Sequence, residues 1–334
     1  MTRHLNLHPE WDPIAEHWVG WPSLEEEWDI GLAAPRAEIA DFIALASQSV
    51  DVKVLTGTAE GAISAARATG GTGAEILTFP DCDIWLRDTG PIFTGRGEMA
   101  HANVFRFNGW GGKFEIPGDR DVSRFITHHS DLPMSQHDFI LEGGSIDFDG
   151  AGHLLTTRQC LLNANRNPDL SQKDIEAKIK EALGPLEFIW LDDGLVGDHT
   201  DGHIDNLARF IGPGHVVCQR PSGPDDPNTT LYTEVEAALR KTGLKVSTMP
   251  SPGRLLDGAG DPLPASHMNF VFLNGVILMP IYDERYGQTA QQELSVLLPG
   301  WEVKTLPARA ILSGGGAFHC MTCQVPKALY VSDL

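Results

Sequence analysis

Apolar positions recur with helical spacing over Ala34–Ser49, Glu60–Ala68, Asp119–His128, Ser171–Leu183, Leu231–Thr242 and Gln288–Leu298. Between them lie short runs rich in β-branched and aromatic residues: Val50–Leu55, Glu75–Phe79, Glu98–Val104, Glu187–Leu191, His215–Cys218, Lys245–Met249, Asn269–Met279 and Val303–Leu306. Strands therefore alternate with helices along the whole chain, which predicts an α/β fold. Five of the helices start at Glu60, Asp119, Ser171, Leu231 and Gln288, separated by 59, 52, 60 and 57 positions. That spacing hints at a repeated strand-rich unit, although no self-similarity of sequence accompanies it.

Length and punctuation refine this picture. At 334 residues the chain fits about two domains of ~150 residues, or one large repetitive one. No stretch is rich enough in Pro, Gly or Ser to mark a boundary, so one domain over 1–334 is expected. Pro221–Asn228 reads as a surface turn, and Pro250–Pro264 as either a substrate loop or an insertion. The most apolar run, Asn269–Tyr282, is interrupted by Asn274 and Gly275 and falls short of the ~20 residues a membrane span requires. The first residues carry no apolar leader pattern, and a cytoplasmic location is the expectation.

Charge narrows the partners. Lys and Arg number 25 against 45 Asp and Glu, for a net charge of -20. This balance argues against a nucleic-acid binder, which needs a basic face for phosphates, and suits a cationic small molecule. Self-association is left open. Five scattered cysteines, Cys82, Cys160, Cys218, Cys320 and Cys323, do not make a disulfide scaffold, which leaves a thiol available for chemistry.

Four Gly- and Pro-punctuated segments concentrate polar residues. Asp83-Ile84-Trp85-Leu86-Arg87-Asp88-Thr89-Gly90-Pro91 could be a solvated turn or a site. Glu142-Gly143-Gly144-Ser145 sets one carboxylate before a pair of glycines that could admit a close backbone approach. In Gly197–Asp205, His199 and His203 among aspartates invite a metal reading. An extended reading instead puts Asp201, His203 and Asp205 on one face, an imidazole between carboxylates suited to acid/base work. Finally, Gly314-Gly315-Gly316-Ala317-Phe318-His319-Cys320 lacks the Lys-Ser/Thr of a phosphate loop, and Cys320-x-x-Cys323 lacks the helix of a redox pair. What remains is a nucleophilic cysteine on a Gly-lined bend.

In this order the segments resemble the agmatine deiminase family, within the guanidine-modifying enzymes that include bacterial-type peptidylarginine deiminases. The resemblance takes in Trp21-Pro22-Ser23, Trp85-x-Arg87-Asp88-Thr89-Gly90-Pro91, Phe107–Lys113, Glu142–Ser145, Thr156–Asn163 with Asn165–Pro168, Asp201–Asn206 and the Cys320 segment. It implies a five-fold pseudo-symmetric α/β propeller of the pentein kind with a central active site. It also implies hydrolytic deimination of a small guanidinium substrate, agmatine first, with peptidyl or free arginine or another alkylguanidine as the alternative.

By the same resemblance Cys320 is the nucleophile, His203 the acid/base and Glu142 its orienting carboxylate. Asp88 and Asp205 grip the guanidinium, and Trp85 is an aromatic at the substrate. Trp110 is a further candidate, as an aromatic face for the substrate's second cation. No metal or cofactor is implied. The chain departs from the family pattern at His199, where Glu is common, and at Ala317-Phe318 and Cys323. A metal-dependent hydrolase built on His199, His203 and Asp205 is the competing class.

Overall fold

The structure, a computed structural model, describes residues 7–331. It begins with β1 (Ile14–Trp21), helix α1 (Ala33–Ala46) and β2 (Asp51–Thr56), with β1 and β2 parallel. Helix α2 (Ala59–Ala68) then leads to β3 (Glu75–Thr78), parallel to β2.

Four units of one plan follow: an antiparallel strand pair, a helix, then a third strand parallel to the second. A helical crossover is what joining parallel neighbours requires. These units are β4 (Ile92–Thr94), β5 (His101–Arg106), α3 (Val122–His129) and β6 (Met134–Ile140); β7 (Ile146–Phe148), β8 (His153–Thr157), α4 (Gln172–Leu183) and β9 (Glu187–Leu191); β10 (Ala208–Gly212), β11 (His215–Arg220), α5 (Thr229–Arg240) and β12 (Lys245–Pro250); and β13 (Val271–Phe272), β14 (Val276–Ile281), α6 (Glu284–Leu297) and β15 (Glu302–Pro307). The last strand, β16 (Thr322–Pro326), returns to pair antiparallel with β1. It completes the first unit as β16, β1, α1 and β2.

Packing closes the units into a ring. Buried apolar side chains fall into five clusters, each between consecutive sheets. Trp18 and Leu55 meet Phe93 and Ala102. Phe105 and Phe139 meet Leu154. Leu155 and Ile189 meet Phe210 and Val216. Val217 and Met249 meet Phe270 and Ile277. Leu278 and Val271 return to Val54 and Val19 of the first sheet. Each sheet buries a face against the next, so no single sheet could stand alone. No helix among the described residues is long and apolar enough to cross a membrane.

Three expectations need correction. The repeat is real, but its first helix is α1, and α2–β3 is an addition at the edge of the first sheet. The run Asn269–Met279 is two strands, folded back at Asn274-Gly275 with Gly275 at φ +83°. The segment Asp201–Asp205 is not extended. Asp201 and Gly202 have φ of +64° and +88°, and Ile204–Asn206 is a turn of 3-10 helix.

Candidate active site

Equivalent positions of the five units build one site. The loop entering the first strand of each antiparallel pair supplies a polar side chain: Asp88 before β4, Glu142 before β7, His203 and Asp205 before β10, Asn269 before β13, and Cys320 before β16. The ring brings these loop ends together although their residues are scattered over 232 positions of sequence (88 to 320).

Glycine makes the convergence possible at two points. A Cβ on Gly144 would sit 2.6 Å from His203 Nδ1, 2.8 Å from Asp88 Oδ1 and 3.1 Å from Asp205 Oδ2. One on Gly316 would lie 2.6 Å from Trp85 Cζ3 and 3.0 Å from Cys320 Sγ. The shortest of these are closer than real Cβ contacts come, so a side chain at either position would push its neighbours apart. Trp110 has φ +51°, a left-handed conformation that costs a non-glycine residue ~1 kcal/mol or more and tends to mark functional sites. It is secured by its indole N–H, which donates to Asp88 Oδ2 at 2.9 Å.

Around the thiol, Asn269 Nδ2 donates to Cys320 Sγ at 3.0 Å, and Sγ lies 3.6 Å from Asp205 Oδ2. Asp205 Oδ2 also accepts from His319 Nδ1 at 2.8 Å, while Oδ1 is buried without a hydrogen-bond partner. His203 is wholly buried. Its Nδ1 stands 3.6 Å from Asp88 Oδ1 and its Nε2 3.6 Å from Glu142 Oε2. Glu142 is anchored from behind by Arg166 Nε at 2.7 Å, and the Gly144 N–H donates to Asp88 Oδ1 at 2.9 Å.

The charges follow from this packing. Burial opposes an imidazolium at His203, but Asp88, Cys160 and Glu142 outweigh it and hold its pKa well above the ordinary value. Burial, joined by Asp205 and Asp88, pushes the Cys320 thiol well up against the opposing Ala317 and Asn269 N–H groups. Burial also raises Asp88, with Glu142 and Asp205 adding to it and His203 opposing. At Asp205 burial is overcome by His319 and His203, and its carboxyl stays below the ordinary range.

A cavity of about 240 Å³ opens over this cluster, lined by Trp85, Asp88, Trp110, the Gly314–Gly316 bend and Cys320, with Trp28 and Phe114 further out. No lysine or arginine is among the described residues that line it. Lys113 instead donates to the His199 carbonyl at 2.8 Å and pairs with Asp201. Arg166 is tied to Glu142, Asp201 and the Thr200 carbonyl.

All the candidate residues Cys320, His203, Glu142, Asp88, Asp205, Trp85 and Trp110 therefore meet in one place. Asp201 does not join them. It turns away to Arg166, Asn165 and Lys113, so the partners of His203 are Asp88 and Glu142 rather than an alternating Asp201. His199 lies out on the cavity wall. Among the described residues the group that could hold a metal is Glu142, Cys160 and His203. His199 and Asp205, which the metal reading requires, are not in it. Pro250–Pro264 contributes nothing to the cavity lining.

Sequence reasoning missed Asn269, hidden in an apolar run, and His319, overshadowed by the cysteine beside it. It also missed the acidic rim at Glu26, Glu27 and Asp29, which reads as an ordinary solvated turn.

The profile of the Porphyromonas-type peptidyl-arginine deiminase family matches residues 6–326. The chain belongs to that family. It is 35% identical to the agmatine deiminase of Pseudomonas aeruginosa over 96% of this chain and 95% of that one. Among solved structures, a cysteine-to-serine variant of the agmatine deiminase of C. jejuni with substrate bound superposes with a TM-score of 0.90 at 30% identity, covering 97% of each chain. The agmatine deiminase of Enterococcus faecalis gives 0.91 at 28% identity, over 97% of this chain and 96% of that one. The family shares the α/β ring, and this chain carries all seven candidate residues within it.

Proposed function

We propose that this protein hydrolyses agmatine to N-carbamoylputrescine and ammonia through a covalent intermediate on Cys320. The observation that carries the reading is a buried thiol flanked by Asp88 and Asp205, with the His203 imidazole beside Asp88, at the floor of a cavity that no lysine or arginine among the described residues lines. The relatives named agmatine deiminase, one of them solved with substrate bound, support it.

A guanidinium is planar and cationic, and carboxylates grip it through charge-assisted hydrogen bonds. Asp88 and Asp205 take that role here, with the unpartnered Asp205 Oδ1 as a ready acceptor. Their charges are also what raise the Cys320 thiol. A bound guanidinium neutralises both and brings the thiolate within reach, so the substrate activates its own nucleophile. Sγ attacks the guanidinium carbon, and His203 gives its proton to the departing nitrogen, which leaves as ammonia. The remaining amidino-thioether is attacked by water, whose proton His203 accepts. The C–S bond breaks, returning the thiolate and releasing the ureido product. Proton transfer of this kind is worth ~10²–10⁴-fold. Glu142, held by Arg166, orients the imidazole.

Free arginine brings a carboxylate that finds no lysine or arginine among the described residues of the lining. Burying it unpaired costs several kcal/mol, so agmatine is favoured by at least about 100-fold in kcat/KM. An ammonia-release assay over agmatine, arginine and an arginine peptide tests this. Equal rates for agmatine and arginine, or efficient citrulline formation in the peptide, would overturn the substrate.

A further inference from the structure

Four carboxylates line the outer cavity: Glu26, Glu27, Asp29 and Asp83. Three belong to an exposed or half-exposed turn. Asp83 differs, because its residue is only 7% exposed and its Oδ1 has no hydrogen-bond partner. Behind it, Asp119 Oδ1 accepts from the Asp83 N–H at 2.8 Å, and Asp119 Oδ2 is likewise buried and unpartnered. Each carboxylate thus keeps one buried oxygen with neither a hydrogen bond nor a cation, which is costly.

Trp85 sets the distance between this carboxylate and the thiol. Its indole N–H faces Asp83, while its far ring edge lies against Gly316 and so beside Cys320. Asp83 and the thiol are thus at opposite edges of one indole, whose face is an apolar wall for a saturated chain. Trp28 stacks on the same ring with centroids 6.3 Å apart.

We propose that Asp83, backed by Asp119 and with Glu27 at the rim, is the subsite for the distal ammonium of an aminoalkylguanidine whose methylene chain lies along Trp85. The subsite rests on the proposed deiminase activity and adds to it the residue that selects the substrate's tail. Among the described residues the groups facing Asp83 are Glu27, Asp119, the Cys82 thiol and the Trp85 indole, none of them cationic. Burial first, then the charge of Glu27, pushes Asp83 up to about 7 against the Ile84 N–H and Trp85. Burial first, then Asp83, pushes Asp119 to about 8. Near neutral pH the free pair therefore carries protons, and an arriving ammonium must expel one. Agmatine binding is then weakened as pH falls below about 7.

The test compares agmatine with pentylguanidine, which replaces the ammonium by a methyl group, in the parent and in Asp83→Asn. The ratio of the two kcat/KM values should be about 100-fold or more in the parent and drop at least tenfold in the variant. In the parent the same ratio should decline as pH falls below about 7, by up to tenfold per unit. An unchanged ratio in Asp83→Asn, or equal losses on both substrates, overturns the subsite while leaving the deiminase standing. If Asp83→Asn does not fold, the parent's pH profile decides, and a ratio flat between pH 8 and 5 overturns it. Ammonia from neither guanidine overturns the proposed function and the subsite with it.

Discussion

Two buried charge clusters share the central axis, and chain neighbours divide between them. Arg87 and His319 point into one, and the residues that follow them, Asp88 and Cys320, into the other. In the first, Glu10 pairs with Arg87 at 3.2 Å, His319 Nε2 at 2.6 Å and Arg209, which also reaches Asp147 at 3.4 Å. Burial would raise Glu10, but Arg209, Arg87 and His319 outweigh it and hold it well below the ordinary range. Each carboxylate there has its cation. In the second cluster Asp88 and Asp205 flank a thiol and, among the described residues, no lysine or arginine is ion-paired with either; the groups facing them are the imidazoles of His203 and His319. The same residue types are thus a self-neutralised strut in one place and an unbalanced anionic socket in the other. The imbalance is what a guanidinium would satisfy. Asp205 joins the two, accepting from His319 on one side and facing Cys320 on the other.

The contrast can be broken from the socket side first. Cys320→Ser should lower turnover by at least about 10⁴-fold, while Cys323→Ser, packed against Gly90 and the Pro91 carbonyl, should stay within about tenfold. Steady-state ammonia release checks both, and a dead Cys323→Ser beside an active Cys320→Ser would reverse the assignment. His203→Ala should cost ~10²–10⁴-fold in kcat, and His199→Ala on the cavity wall far less. The pH profile should be bell-shaped. Activity is lost as pH falls and Asp88, raised from its ordinary range, takes a proton; it is lost again as pH rises through the elevated pKa of His203.

On the strut side the effect is on stability. Glu10→Gln removes the carboxylate that Arg87, Arg209 and His319 share, leaving Arg209 to Asp147 and His319 to Asp205, and should cost about 2–4 kcal/mol in denaturant unfolding, the 15% exposure of the Glu10 side chain softening the loss for a buried pair. Because the folded-state pKa of Glu10 is depressed, its contribution is present above the ordinary 4.5 and fades as pH falls below it, so parent and variant should converge in acid. Parallel curves down to low pH would deny the strut its charge.

The smallest effect sharpens the distinction. Asp83 and Asp119 have raised pKa values, so the folded state holds more protons than the unfolded one between about 4 and 8, and stability declines as pH rises through that window. Asp83→Asn should therefore stabilise the free protein at pH 8, by of the order of 1–2 kcal/mol, with the gain gone by pH 4. A variant less stable at pH 8 would make Asp83 a strut as well.

Much of the socket was legible because its residues sit in Gly- and Pro-punctuated segments, where polar side chains have no reason to cluster for folding. The strut was not. Glu10 and Arg209 look like any surface pair, and only the ring brings them onto one axis. Short strands also escaped notice: β4 and β7 are only three residues long, too short for period-two alternation to register, and the two-residue β13 merged with β14 into one run. Alternation misled at Asp201–Asp205, where a left-handed Asp201 replaces the strand it suggests. The repeat was visible in helix spacing, but its register was misplaced because α2, an ordinary amphipathic helix, carries no mark of being extra.

The central claim is that the socket's thiol, activated by a cation it binds between Asp88 and Asp205, forms a covalent bond to agmatine. Acid quenching during turnover, followed by peptide mass spectrometry, reads it directly. The account predicts an adduct with the mass of agmatine less one ammonia on Cys320, absent from Cys320→Ser and undiminished by chelator. Ammonia release with no adduct on Cys320, or with the adduct on Cys323, would contradict it.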